Sequence, residues 1–102
     1  MDAALELICL HENDNVAIAR SVVVAGTTVS ANGRSVLLLA DIEQGHKVAI
    51  LPIAADAKIL KFGVSIGSAT RSIAPGEHVH LHNLRSDYTA THLEGGVKPV
   101  KQ

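Results

Sequence analysis

The chain has 102 residues, 47% of them hydrophobic, and a formal net charge of −1. That suffices for one domain with a modest core and is too little for two. Phe62 and Tyr88 are the sole Phe, Tyr or Trp residues and no basic run occurs. This excludes a base-stacking platform and argues against a nucleic-acid or membrane surface.

The first apolar run, residues 4–10 (ALELICL), carries the single cysteine. Cys9 has no partner for an internal disulfide and reads as a buried thiol in a reducing compartment. The N-terminus has acids at Asp2 and Glu6 and no basic leader, and no apolar run could span a bilayer. A cytoplasmic location is expected. Asp14 and Asn15 then form a natural Asx turn before residues 15–19 (NVAIA), so Asp14 reads as structural first. The pair Asn32-Gly33 is a strong tight-turn signal ahead of residues 35–40 (SVLLLA). Further short runs follow at residues 47–53 (KVAILPI), 57–62 (AKILKF) and 77–84 (EHVHLHNL), each after a glycine, proline or polar turn.

Branched aliphatics dominate these runs, and no helix cap precedes a long amphipathic stretch. The prediction is a mostly β domain of seven or eight short strands, with at most one or two helical turns. With two aromatics, its core must be aliphatic. A weak internal repeat shows in the string x-V-A-I, at residues 15–18 and 47–50, each copy after a polar turn. Three shared letters can arise by chance, but two related hairpins packed face to face would make a closed β-structure of this size. Residues 1–84 read as the domain. Residues 85–102, with a Gly-Gly pair and few core formers, read as an extended or disordered arm.

Three of six histidines lie in residues 76–84 (GEHVHLHNL), at His78, His80 and His82. If this stretch is extended, they share one face and Val79 and Leu81 share the other. Two histidines at i and i+2 can hold one metal ion. A solvated strand rich in histidine is the plain alternative. Glu77, the nearby carboxylate, falls on the Val79 face, so a complete metal site within the chain is not expected. A second candidate stretch places His46 and Lys47 after Gly45, where the backbone can approach a ligand closely. In a third, Lys61 falls on the face of Ile59, either snorkelling outward or lining a pocket as a carboxylate partner.

Taken together, residues 14–19 (DNVAIA), 45–50 (GHKVAI), 61–69 (KFGVSIGSA) and 76–84 (GEHVHLHNL) resemble, in order, the N-terminal small domain of the altronate/galactarate dehydratase family. The sequence is also similar to the small subunit of sulfolactate sulfo-lyase. Any one motif is weak; four in order are specific. The resemblance implies a β-clip (SAF-type) fold and covers roughly residues 8–84. It implies a hydro-lyase: a proton leaves from beside a carboxylate and a β-substituent is expelled. Such chemistry needs a base, an electrophile and an acid.

On this reading the chain is a separate small subunit, or an excised N-terminal domain, that acts in trans to a large dehydratase subunit; the divalent metal, typically Fe2+, is expected on that subunit and none is assigned to this chain. His46, His80 and His82 would supply proton transfer. Lys47 and Lys61 would face the carboxylate of a small hydroxy-acid substrate, and Asn83 would fix a turn or reach substrate. The pattern departs from the family at Glu12, Ile42-Glu43 and Phe62 (where tyrosine is common), and a glycine expected near Asp56 is missing. A homo-oligomer would cover the edge strands. One alternative is a non-catalytic module that binds a small acid or a protein. Another is a self-contained metalloprotein built on His78, His80 and His82.

Overall fold

Four short segments share one local design, and they set the path of the chain. Each begins with a buried Val or Ile, at Val23, Ile42, Ile53 and Ile73. Each then closes a four-residue turn, with the N–H of Thr27, His46, Ala57 and Glu77 donating to the C=O of Val24, Glu43, Ala54 and Ala74 at 3.2, 2.9, 3.0 and 3.1 Å. The third turn residue is left-handed every time: Gly26 (φ 88°), Gly45 (φ 84°), Asp56 (φ 70°) and Gly76 (φ 91°). That is the requirement of a type II turn, and Pro75 stands where such a turn prefers proline. Asp56 stands at the position that glycine holds in the other three turns.

A computed structural model describes residues 7–9 and 11–87. Its strands are β1 (Leu7–Ile8), β2 (Val16–Ala19), β3 (Thr28–Ala31), β4 (Arg34–Leu37), β5 (Lys47–Ala49), β6 (Lys58–Lys61), β7 (Val64–Ala69), β8 (His78–Val79) and β9 (Leu84–Arg85). They form sheets of order β1-β2-β5-β8, β3-β4 and β6-β7-β9, and every pairing is antiparallel. The mostly β expectation is met, and no α-helix occurs among the described residues. The arrangement is that of a small β-clip.

The internal repeat is real and larger than its three-letter trace. The path β2, hairpin β3-β4, β5 is laid down again as β5, hairpin β6-β7, β8. Equivalent hydrogen bonds close both copies: Gly26 N–H to Leu38 C=O matches Asp56 N–H to Ala69 C=O, and Gly45 N–H to Ala19 C=O matches Gly76 N–H to Ala49 C=O. Ala19 therefore corresponds to Ala49, an offset two residues shorter than the x-V-A-I strings suggest; a shift of two preserves which side chains face inward. The second copy gains one residue in its hairpin. Leu60 pairs with Ser65 and Ile59 with Gly67, which leaves Ile66 as a bulge. Asn15 clamps the opposite strand there, accepting the Leu60 N–H at 2.8 Å and donating to the Lys58 C=O at 3.0 Å. Gly67 thus lies inside β7 and does not end it.

Alternation in the four-stranded sheet feeds two cores. Ala17, Ala19 and Val48 join Val23, Val29, Val36, Leu38 and Ile42 on one side. Val16, Ala49 and Val79 join Ile53, Ile59, Ala69 and Ile73 on the other. Both are aliphatic, as composition requires. At the other end of the chain, Arg85 pairs with Ser68. Asp87 accepts from Ser68 Oγ at 2.9 Å and pairs with Lys58 at 2.6 Å. The rest of the expected arm, from residue 88 onward, lies outside the described residues.

Both hairpins turn on two left-handed residues, Asn32-Gly33 (φ 51° and 75°) and Phe62-Gly63 (φ 55° and 80°). At Gly33 an added Cβ would meet open space, whereas at Gly76 it would lie 2.0 Å from the Leu37 carbonyl oxygen. Gly33→Ala is therefore expected to cost about 1 kcal/mol, from backbone strain alone. Gly76→Ala should cost well over about 2 kcal/mol, because the backbone of the first unit must move as well. Urea denaturation of the two variants side by side checks the difference.

Candidate functional site

The two histidine motifs meet because β5 and β8 are neighbours. Their register pairs Val48 with His78 and Lys47 with Val79. Continued one step, it sets His46 opposite His80. His46 enters β5 directly from the second left-handed turn, and His78 opens β8 from the fourth. The rings gather at the sheet end: centroids of His46 and His78 are 5.0 Å apart, His46 and His80 5.1 Å, His78 and His80 5.4 Å. His82 joins at 5.6 Å from His78. His46 Nδ1 lies 2.9 Å from His78 Nε2, while His46 Nε2 lies 3.7 Å from the Glu43 carboxylate. Burial, aided by the charges of His46, His80, His82 and Lys47, holds His78 below the usual imidazole range, so it favours the neutral form.

The strand does not run through all three histidines as alternation suggested. It stops at Val79, and a turn over residues 80–83 follows, closed by the Asn83 and Leu84 N–H groups on the His80 C=O at 3.1 and 2.8 Å. Leu81, expected on the core side, is therefore 79% exposed. Asn83 is the buried member of this loop, with 0% exposure. Its carboxamide accepts the His80 N–H at 2.9 Å and donates to the His78 C=O at 2.9 Å. The side chain that was a candidate for substrate instead faces the loop's own backbone and sets the spacing of His78 and His80. Glu77 also braces a turn, accepting the Ala74 N–H at 2.7 Å and pairing with Arg71 at 3.5 Å.

Lys47 follows His46 and so faces the other side of the sheet. It is half-buried, and desolvation, with the nearby charge of Lys61, pulls its pKa below the usual lysine range. Lys61 in turn lies over the Phe62 ring, 5.4 Å from its centroid. The structure thus brings the predicted residues together in two groups, four imidazoles on one side of β5 and two ammonium groups on the other. One contributor was not singled out beforehand: Glu43 sits three residues before His46, and its part depends on the turn folding back. His78 was read from the motif together with His80 and His82, but its central position, against His46, depends on the cross-strand register.

Asp14 is structural: fully buried, it accepts the Gly63 N–H at 2.7 Å and ties the start of β2 to the second hairpin. Cys9 Sγ lies 3.8 Å from its other oxygen. A shallow hollow of about 180 Å³ at the bulge is lined by Ser65, Ile66, Gly67 and Asp87, none of them a candidate residue.

Residues 5–87 match the altronate/galactarate dehydratase SAF domain. The chain belongs to this family. The SAF domain is 42% identical to altronate dehydratase of Escherichia coli over 83 residues, which is 81% of this chain but 17% of that enzyme. It is 39% identical to galactarate dehydratase (L-threo-forming) of the same organism over 71% of this chain and 14% of the enzyme. It is 48% identical to (2R)-sulfolactate sulfo-lyase subunit alpha of Chromohalobacter salexigens over 41% of this chain and 45% of that subunit. The chain therefore spans about a sixth of the length of the dehydratases it matches. No helix among the described residues is long and apolar enough to cross a membrane.

Two outcomes follow from the buried polar groups of the SAF domain. Asn83→Ala strands the His80 N–H and the His78 C=O, and is expected to cost about 2 kcal/mol. It should also shift the imidazole NMR signals of both histidines. Burial, then the charge of Asp14, pushes the Cys9 thiol up to about 11. At pH 8 the folded chain should therefore react with iodoacetamide at least about ten-fold more slowly than the urea-unfolded chain. Asp14→Asn should narrow that gap.

Proposed function

We propose that this SAF domain forms one wall of the active site of a hydro-lyase acting on sugar acids of the altronate or galactarate type. It would work in trans to a larger dehydratase partner. The observation that carries the reading is the convergence of His46, His78, His80 and His82 at the end of the β5–β8 pair, with Lys47 and Lys61 across β5. Elimination beside a carboxylate needs a cationic hold on that carboxylate and groups that move protons at the carbon and at the leaving hydroxyl.

In this scheme Lys47 and Lys61 hold the substrate carboxylate. Lys47 is partly desolvated, which strengthens its pull on an anion. His46, His80 and His82 serve proton transfer: His80 and His82 are exposed and can reach a bound ligand, while His46 relays to His78 through the 2.9 Å contact. Asn83 holds the loop so that these rings stay in register. The larger partner would supply a divalent metal, with Fe2+ the expected ion, to stabilise the enediolate. The subunit status of the sulfo-lyase relative supports a partner that brings the rest of the site.

Capture of the chain's partner and reconstitution of the pair test this. With a dehydratase-like partner, His80→Gln is expected to lower kcat about 100-fold or more on the sugar acid, with assembly intact. Lys61→Ala should mainly raise KM, about ten-fold or more. If both variants leave turnover unchanged while the complex forms, the domain positions a partner or a small acid without taking part in chemistry.

A further inference from the structure

Three of the clustered imidazoles gather at the paired ends of β5 and β8, His46 just before β5, His78 in β8 and His80 just after it. One ligand nitrogen each from His46, His78 and His80 lies within 4.8 Å of the other two. We infer that His46, His78 and His80 form a three-nitrogen site for a divalent first-row transition metal ion, such as Zn2+ or Fe2+, on the SAF domain itself. Metal uptake by the chain is read without turnover, so its test is separate from that of the lyase reading; in the loaded state His46 and His80 are ligands and the proton-transfer role falls to His82.

The geometry carries it in four ways. Two imidazole nitrogens bound to one zinc at about 2.0–2.1 Å sit about 3.0–3.4 Å apart. The His46 Nδ1 to His78 Nε2 separation of 2.9 Å is already near that spacing. His80 is exposed, and its ligand nitrogen already lies within 4.8 Å of those of His46 and His78. His46 presents Nδ1 to the cluster and Nε2 toward Glu43, 3.7 Å away. That separation is too long for a hydrogen bond, but a small rotation of the exposed Glu43 would bring the carboxylate behind His46, where such a partner fixes tautomer and orientation at metal sites. Finally, the backbone beneath is fixed by buried Asn83, which bonds both His78 and His80.

Three imidazoles leave one coordination position open, as in catalytic rather than closed structural sites. Water or an oxygen of a hydroxy acid would take it. The trio differs from the His78, His80 and His82 face read from the sequence: His46, across the sheet, replaces His82. Metal and proton compete for the same lone pairs, so a loaded site leaves His82 as the free imidazole of the four. This places a metal on the small domain, in addition to the one expected on a larger partner.

Titration of the chelator-treated full chain with Co2+, followed by visible absorption, and with Zn2+, followed by calorimetry, tests the site. One ion per chain is expected, with the visible bands of a low-coordinate cobalt site. His46→Ala, His78→Ala and His80→Ala should each weaken binding about ten-fold or more, and Glu43→Gln should weaken it less. His11→Asn, away from the cluster, should bind as the native chain does. Zn2+ should shift the imidazole NMR signals of His46, His78 and His80 and not that of His11, which reads the site even if an alanine variant folds poorly. Absence of one-to-one uptake, or equal losses for His11→Asn and the trio variants, would overturn it.

Discussion

The antiparallel pairing of β5 with β8 is the constraint on which the rest of this molecule depends. Val48 and Val79 are both fully buried, yet they point to opposite faces and into different cores. A slip of one residue would drive His78 into a core and expose Val79, so hydrophobic burial selects a single register. That register also sets His46 against His80 and sends Lys47 away from both. Aliphatic packing and site chemistry are thus fixed by the same few residues.

Duplication explains how so short a chain reaches this arrangement. Each unit contributes one long hairpin, two left-handed turns and one half of the core. The strand they share, β5, donates to both cores by alternation. The turns deliver the chain to the sheet end at matching places, which is why His46 and Glu77 follow equivalent turns and their neighbours pair. The second unit departs from the first at the Ile66 bulge, clamped by Asn15, and at Asp56, a left-handed residue other than glycine. A non-glycine residue at positive φ is maintained only where surrounding structure holds it; around Asp56 the Ala69 hydrogen bond and the exposed Arg85 ion pair do so.

Electrostatics divides the functional end of the domain in two. His78, at the centre of the imidazole cluster, favours its neutral form because burial and the surrounding charges oppose an extra proton, and ammonium groups sit across the strand. The first environment suits metal ligation and proton transfer, and the second suits a carboxylate. The single strand between them keeps the two groups on opposite faces, so the lysines do not occupy the position a cation would take.

Local chemistry alone determined much of this protein. The alternation of branched aliphatics reads as strands, Asn32-Gly33 reads as a two-residue hairpin turn, and two aromatics dictate an aliphatic core, because each depends on residues near in sequence. The motifs GHK and HVHLHN marked the functional end for a similar reason: their residue types have few other uses in that density. Only the tertiary structure decided which histidines meet. His46 and His80 are brought together by cross-strand register, a consequence of core burial far along the chain. Nor does local pattern show that the strand ends at Val79, leaving Leu81 in solvent and turning Asn83 inward. An alternating string continues to look like a strand until the backbone's hydrogen-bond partners run out, and where they run out is set by the neighbouring strand.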